Sequence, residues 1–195
     1  MAPDIPFLGT YFDEIVETEA DNECRAWVRK MLGAKAELGA FVASRRLPPV
    51  RRGTEDETGT ETGTGAGTGT YVAFLKGSFN LGFRYSFPEG SDTIIRFPKP
   101  GHTATALRDE KVVNEVRVLE YLRQNTTIPL PRVHSWGLTA EGPLGLGPFI
   151  IMDFVEGTLL TDVLKRPTAN EQERHILNPD VDNAMLDNVY RQIAG

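Results

Sequence analysis

A glycine turn, a strand arginine and a helical glutamate follow one another in this sequence at spacings that could bring them to one place. Gly77-Ser78-Phe79-Asn80 lies between two apolar segments, and a glycine there lets backbone N–H groups approach a phosphate as a nest of amide dipoles. The same residues also suit an ordinary hairpin turn. Arg96 stands in Thr-Ile-Ile-Arg-Phe. Strand alternation puts Ile94 and Arg96 on one face and Thr93, Ile95 and Phe97 on the other. An apolar platform beside a cation suits a base and its phosphates, and a solvated arginine on an open sheet face fits this strand equally well. Glu115 is more discriminating. An advance of about 100° per residue sets it between Leu119 and Leu122 on the apolar stripe of its helix, away from Asn114, Arg117 and Tyr121. A carboxylate withdrawn from water requires a partner, and Arg96, on the strand just before, is the natural one. A glutamate at the stripe's edge can instead bend into solvent. Finally, Phe149 to Gly157 reads Phe-Ile-Ile-Met-Asp-Phe-Val-Glu-Gly, an apolar strand running into a polar turn. Its backbone could pair with an adenine edge if the chain crosses there between two lobes, or it is simply a central strand and its turn.

The elements that must position these residues are legible from periodicity. Residues 21–46 carry Trp27, Val28, Met31, Leu32, Leu38, Phe41 and Val42 at helical intervals, which predicts one or two helices, weakened at Gly33 and Gly39. After Pro48 and Pro49, the stretch Gly53 to Thr70 is almost entirely Gly, Thr, Glu and Asp and has nothing to bury, so a mobile tether is expected. Tyr71 to Leu75 and Leu81 to Phe87 read as a hairpin, with Leu81, Phe83, Tyr85 and Phe87 on one face, and Thr93 to Phe97 as a third strand. From Asp109 to Arg123 the period becomes helical, with Val112, Val116, Leu119 and Leu122 as its stripe. Arg132 to Trp136 and Phe149 to Phe154 then read as two more strands. Short helices are expected at Thr158 to Lys165 and from Pro179 to the end.

Composition bounds the function classes. The 195 residues suit one ordinary domain or part of a larger protein. With 21 basic against 27 acidic residues and a net charge of -6, the chain has no general field for a nucleic-acid backbone. One cysteine, Cys24, permits no internal disulfide. The residues Met1 to Phe12 lack the basic and then apolar pattern of a secretory signal. No run approaches the roughly 18 apolar residues of a membrane span. The expectation is a cytoplasmic protein without membrane or nucleic-acid partners.

The chain resembles the aminoglycoside phosphotransferase-like family, of protein-kinase-like fold, in its fungal-type form. The resemblance is carried by Lys76-Gly77-Ser78-Phe79-Asn80, Ile94-Ile95-Arg96-Phe97-Pro98, Asn114-Glu115-Val116, Thr127-Ile128-Pro129-Leu130-Pro131-Arg132-Val133 and Ile151-Met152-Asp153-Phe154-Val155-Glu156-Gly157. It covers roughly Tyr71 to Gly195. It implies an α+β fold: a kinase-like amino-terminal lobe with a five-stranded antiparallel sheet and one helix over residues 71–157. A helical extension at 1–52, the Gly/Thr-rich disordered segment at 53–70 and the start of a helical second lobe at 158–195 complete the expected organisation.

By the same resemblance, ATP is the cofactor, Gly77, Ser78, Phe79 and Asn80 cover its phosphates, and Arg96 stands where such kinases usually carry lysine, oriented by Glu115. Met152 borders the adenine pocket, and Asp153, Phe154 and Val155 form the hinge. Magnesium is expected only with a complete second lobe. The family's catalytic loop and its metal-binding residues find no match here, and His102, His134 and His175 stand in unrelated contexts. The expectation is therefore the amino-terminal part of an ATP-dependent small-molecule phosphotransferase, inactive by itself. The alternative is a non-catalytic nucleotide-binding or protein-interaction module.

Overall fold

The computed structural model describes residues 11–46, 69–88, 90–168 and 176–194. Residues 53–68 of the Gly/Thr-rich stretch, together with His175, lie outside them. The chain divides into two units, Met1–Phe154 and Val155–Gly195.

The first unit is an α+β assembly of helices α1 (Tyr11–Gly33) and α2 (Lys35–Arg45), strands β1 (Thr70–Lys76), β2 (Asn80–Phe87) and β3 (Gly90–Pro98), helix α3 (Arg108–Asn125), and strands β4 (Val133–Gly137) and β5 (Phe149–Asp153). The strands form one antiparallel sheet in the order β1-β2-β3-β5-β4. The expected sequence of three strands, a helix and two strands is present, with β5 inserted between β3 and β4.

Alternation explains why both sheet faces are covered. Leu81, Phe83, Tyr85 and Phe87 of β2 and Ile95 and Phe97 of β3 turn one way and pack with Met31, Leu38 and Val42 of the first two helices. Ile94, Ile150 and Met152 turn the other way, onto Val112, Val116 and Leu119 of α3. Strand β5 serves both cores: Phe149 and Ile151 face α1 and α2, and Ile150 and Met152 face α3. That double burial accounts for its unbroken apolar run. The two helices within the segment expected as an extension thus pack on the sheet as a layer of the same unit.

Gly39, which weakened the helix expectation, sits inside α2 for a packing reason. A Cβ there would stand 3.0 Å from the Tyr85 ring and 3.0 Å from the Gly69 carbonyl. The Tyr85 hydroxyl donates to the Lys35 carbonyl at 2.7 Å, and burial pushes its phenol pKa well above the usual value. At the other end of the sheet, the Trp27 indole N–H donates to the Leu146 carbonyl at 2.8 Å. The Arg108 guanidinium, buried at the start of α3, donates to the carbonyls of Pro98 and Leu146. These bonds tie α1, α3, the end of β3 and the β4–β5 loop together.

In the second unit, helices α4 (Leu160–Leu164) and α5 (Asn183–Ala194) flank a short bridge between Lys165 and Leu177. The Arg166 N–H donates to the Ile176 carbonyl, and the Asn178 N–H to that of Leu164. Met185 and Tyr190 of α5 are exposed. Among the described residues no helix is long and apolar enough to cross a membrane.

Candidate functional site

Antiparallel register assigns the side chains on the α3 face of the sheet to two rows. Opposed residues share a face, so Leu75, Gly82, Arg96 and Ile150 form one row and Ala73, Arg84, Ile94 and Met152 the next. Arg96 therefore sits between a residue without a side chain and an apolar one, under α3. The structure places its Nη2 against Oε1 of Glu115, and both side chains are about two-thirds or more buried. Burial pushes the Arg96 guanidinium below its ordinary pKa. The helical stripe that turns Glu115 inward is the one that buries Val112 and Val116.

Gly82 is required beside Arg96. A Cβ on it would meet the Ile95 carbonyl oxygen at 2.4 Å and the Arg96 Cβ at 3.1 Å. The strands close here only because position 82 projects nothing.

The β1–β2 turn stands at the same end of the sheet. Gly77, Ser78 and Phe79 are exposed, Phe79 at 59%, and Asn80 begins β2. The Gly77 N–H donates to the Asn80 carbonyl at 3.0 Å, so it is already spent in closing the hairpin. Of the turn's amide donors, those after Gly77 are the ones to consider for an anion.

Two cations that the sequence reading passed over lie on this face. The Lys111 ammonium is 5.5 Å from the centroid of the Phe79 ring and donates to the Thr103 hydroxyl at 3.4 Å. Burial, then the charges of Arg96 and Arg108, hold its pKa below the ordinary lysine value. Lys111 precedes Glu115 by four residues, a spacing that puts both on one helix face and would have flagged it. Arg84 stands between Ala73 and Ile94, paired with Asp92 and lying 3.9 Å over the Phe154 ring. The platform read as apolar from Ile94 thus has a guanidinium at its side. Its planar face can itself stack on an aromatic base.

Ile94 and Met152 are packed into the α3 core rather than projecting from it. Asp153 is the last residue of β5. Its carboxylate accepts from the Arg132 N–H and meets the His134 Nε2 at 2.8 Å. Burial lowers the His134 pKa, against the charge and hydrogen bond of Asp153, which raise it. The Phe154 N–H donates to the Asp92 carbonyl at 2.8 Å. Val155 is exposed and opens the second unit, so the division between units falls inside the segment expected as a hinge. The residues brought together are Arg96, Glu115, Lys111 and Phe79; Asp153 lies at the opposite end of the β3–β5 ladder.

The first unit is therefore an α+β body whose five-stranded antiparallel sheet is held between two helical layers and carries an arginine–glutamate pair on one face. No family model matches the chain. Over 90 residues, 44% of its length, it is 32% identical to subtelomeric hrmA-associated cluster proteins of two Aspergillus fumigatus strains. The matched stretch makes up 16% of those relatives.

Proposed function

We propose that this chain supplies the nucleotide-binding lobe of a kinase-like phosphotransferase, similar to the aminoglycoside phosphotransferase-like family, that acts on a small molecule with ATP. The observation that carries this reading is the Arg96–Glu115 pair beneath the glycine turn. A half-buried guanidinium fixed by a carboxylate from the covering helix presents a permanent positive charge in one orientation, which suits the oxygens of a polyphosphate. Lys111 adds a second cation, while Glu115 offers one carboxylate, so the face keeps a surplus of positive charge.

The residues present fit a nucleotide in chemistry. Arg96 and Lys111 would hold phosphate oxygens, with the exposed amides of Ser78 and Phe79 above them. Leu75 and Ala73, next to the bare position 82, give a strip on which a base can lie, with the Arg84 plane at its side. ATP brings the transferable phosphoryl group; the residues named here bind and orient it.

Calorimetry with ATP and magnesium tests the reading. Arg96→Ala is expected to weaken binding at least tenfold and Lys111→Met several-fold. Undiminished binding in Arg96→Ala, or none in the parent chain, would remove the nucleotide reading and favour a scaffold that meets other proteins.

A further inference from the structure

On the opposite face of the sheet, a cavity of about 580 Å³ opens between α1 and the β1–β2 hairpin. Its apolar wall is made by Cys24 and Val28 of α1 with Phe74 and Leu81 of the hairpin. These belong to the core under the first two helices, so the cavity is separated by the sheet from Arg96 and Glu115. The remaining wall is basic. Arg25 and Arg29 come from α1, Lys76 from the end of β1 and Lys99 from the segment after β3. Among the described residues Asp21 is the one carboxylate in the lining, and it is shared with Arg25 at 4.0 Å. His102 completes the rim.

Lys99 is the informative residue. It is 7% exposed, it borders the cavity, and among the described residues its ammonium has neither a carboxylate nor a hydrogen-bond acceptor. Its backbone N–H is bound to the Phe79 carbonyl at 2.9 Å, so the side chain is anchored close to its root. The side chain is enclosed along its length and ends at the cavity it borders, so its charge is directed there. The site is also held in place by a tight contact on its far side. Gly101 has φ of 77°, which side chains rarely adopt, and a Cβ there would meet the Ala20 carbonyl oxygen of α1 at 2.6 Å. That approach fixes the segment carrying Lys99 and His102 against the helix carrying Arg25 and Arg29.

We propose that this cavity binds a small organic phosphate, its phosphate among Lys99, Lys76 and Arg29 and its apolar part against Val28, Phe74 and Leu81. Among the described lining residues, four bases against one carboxylate favour a dianion over a monocarboxylate, since a phosphate monoester carries close to two charges near neutral pH. The volume falls in the range of small-molecule sites, about 300–1,000 Å³, and exceeds what inorganic phosphate alone would fill. The site stands independently of the nucleotide reading, because it shares no residue with it.

Calorimetry of the full chain with phenyl phosphate tests the inference, with benzoate and phenol as the monoanionic and neutral comparisons. Saturable binding of phenyl phosphate is expected, at least tenfold tighter than benzoate, with no detectable binding of phenol. Lys99→Met should weaken it at least tenfold, Lys76→Gln and Arg29→Gln several-fold, and added salt progressively, while Arg96→Ala leaves it unchanged. Lys76 and Arg29 are exposed, so those two variants decide the matter should Lys99→Met fail to fold. Equal affinity in Lys76→Gln and Arg29→Gln, loss of binding in Arg96→Ala, or no saturable binding would each overturn the proposal.

Discussion

Arg96 of β3 and Glu115 of α3 form an ion pair at the seam where the helix lies on the sheet, with Gly82 directly across the ladder from the arginine. The pair joins an element made by period-two alternation to one made by helical periodicity, and it does so beside a core of Val112, Val116, Ile150 and Met152. The placing of the helix on the sheet is therefore set by apolar packing that involves neither charged residue, and the carboxylate then orients the guanidinium.

Removing one partner should cost more than an exposed ion pair contributes. Side-chain exposures of 25% and 32% put the pair between the surface and the buried case. Glu115→Gln and Arg96→Met are each expected to lower unfolding free energy by about 1–2 kcal/mol. The double variant should recover part of the loss, giving a coupling of about 1 kcal/mol in urea denaturation. Additive losses would mean the two side chains do not interact in solution.

Gly82→Ala is expected to be more damaging than its one added carbon suggests. The new Cβ would have to stand 2.4 Å from the Ile95 carbonyl oxygen, so β2 and β3 must separate or shift. A loss of about 2 kcal/mol or more is expected, read as a fall in melting temperature. An unchanged melting temperature would show that the ladder is looser at this point than the register implies.

The sequence exposed the α3 helix because its pattern is two-sided, an apolar stripe opposite a polar one, and β5 because four apolar residues stand unbroken before a polar turn. Glu115 stood out for that reason, as an acid on an apolar stripe. Three things had no such signal. The insertion of β5 beside β3 is a pairing of residues far apart in sequence, and alternation within each strand does not choose its neighbour. The packing of α1 and α2 on the sheet was hidden because the Gly/Thr-rich stretch separates them from the strands they cover. Lys99, between Pro98 and Pro100, has no periodicity to compare with, and its burial goes with the close approach of Gly101 to Ala20 of α1 and with its backbone bond to Phe79 of the hairpin.

His134 should make stability depend on pH. Its folded pKa lies below the ordinary value of about 6.5, so the folded state holds fewer protons than the unfolded chain. Its contribution is complete above about pH 6.5, is lost as pH falls from there through the folded pKa, and levels off below that. Melting temperatures measured between about pH 7.5 and 5 should fall less steeply in His134→Gln than in the parent. Parallel curves for the two proteins would show that other groups carry the acid sensitivity.

The first two helices are predicted to be indispensable to the sheet, because the face they cover is aromatic and wholly buried. Phe83, Tyr85, Ile95, Phe97 and Phe149 are fully enclosed, and Leu38 and Val42 of α2 and Met31 of α1 are enclosed with them. Exposing such a face would leave an apolar patch of the kind that drives association. A chain beginning at residue 47 should therefore be insoluble or aggregate. Leu38→Ala, which opens a cavity against that face, should cost about 2–5 kcal/mol, and Tyr85→Phe, which removes only the bond to the Lys35 carbonyl, about 1 kcal/mol. Denaturant unfolding separates these from a peripheral role. If the shortened chain unfolds cooperatively at the parent's midpoint, with Leu38→Ala also neutral, the helices do not share the sheet's core, and the cavity containing Lys99 loses its α1 wall.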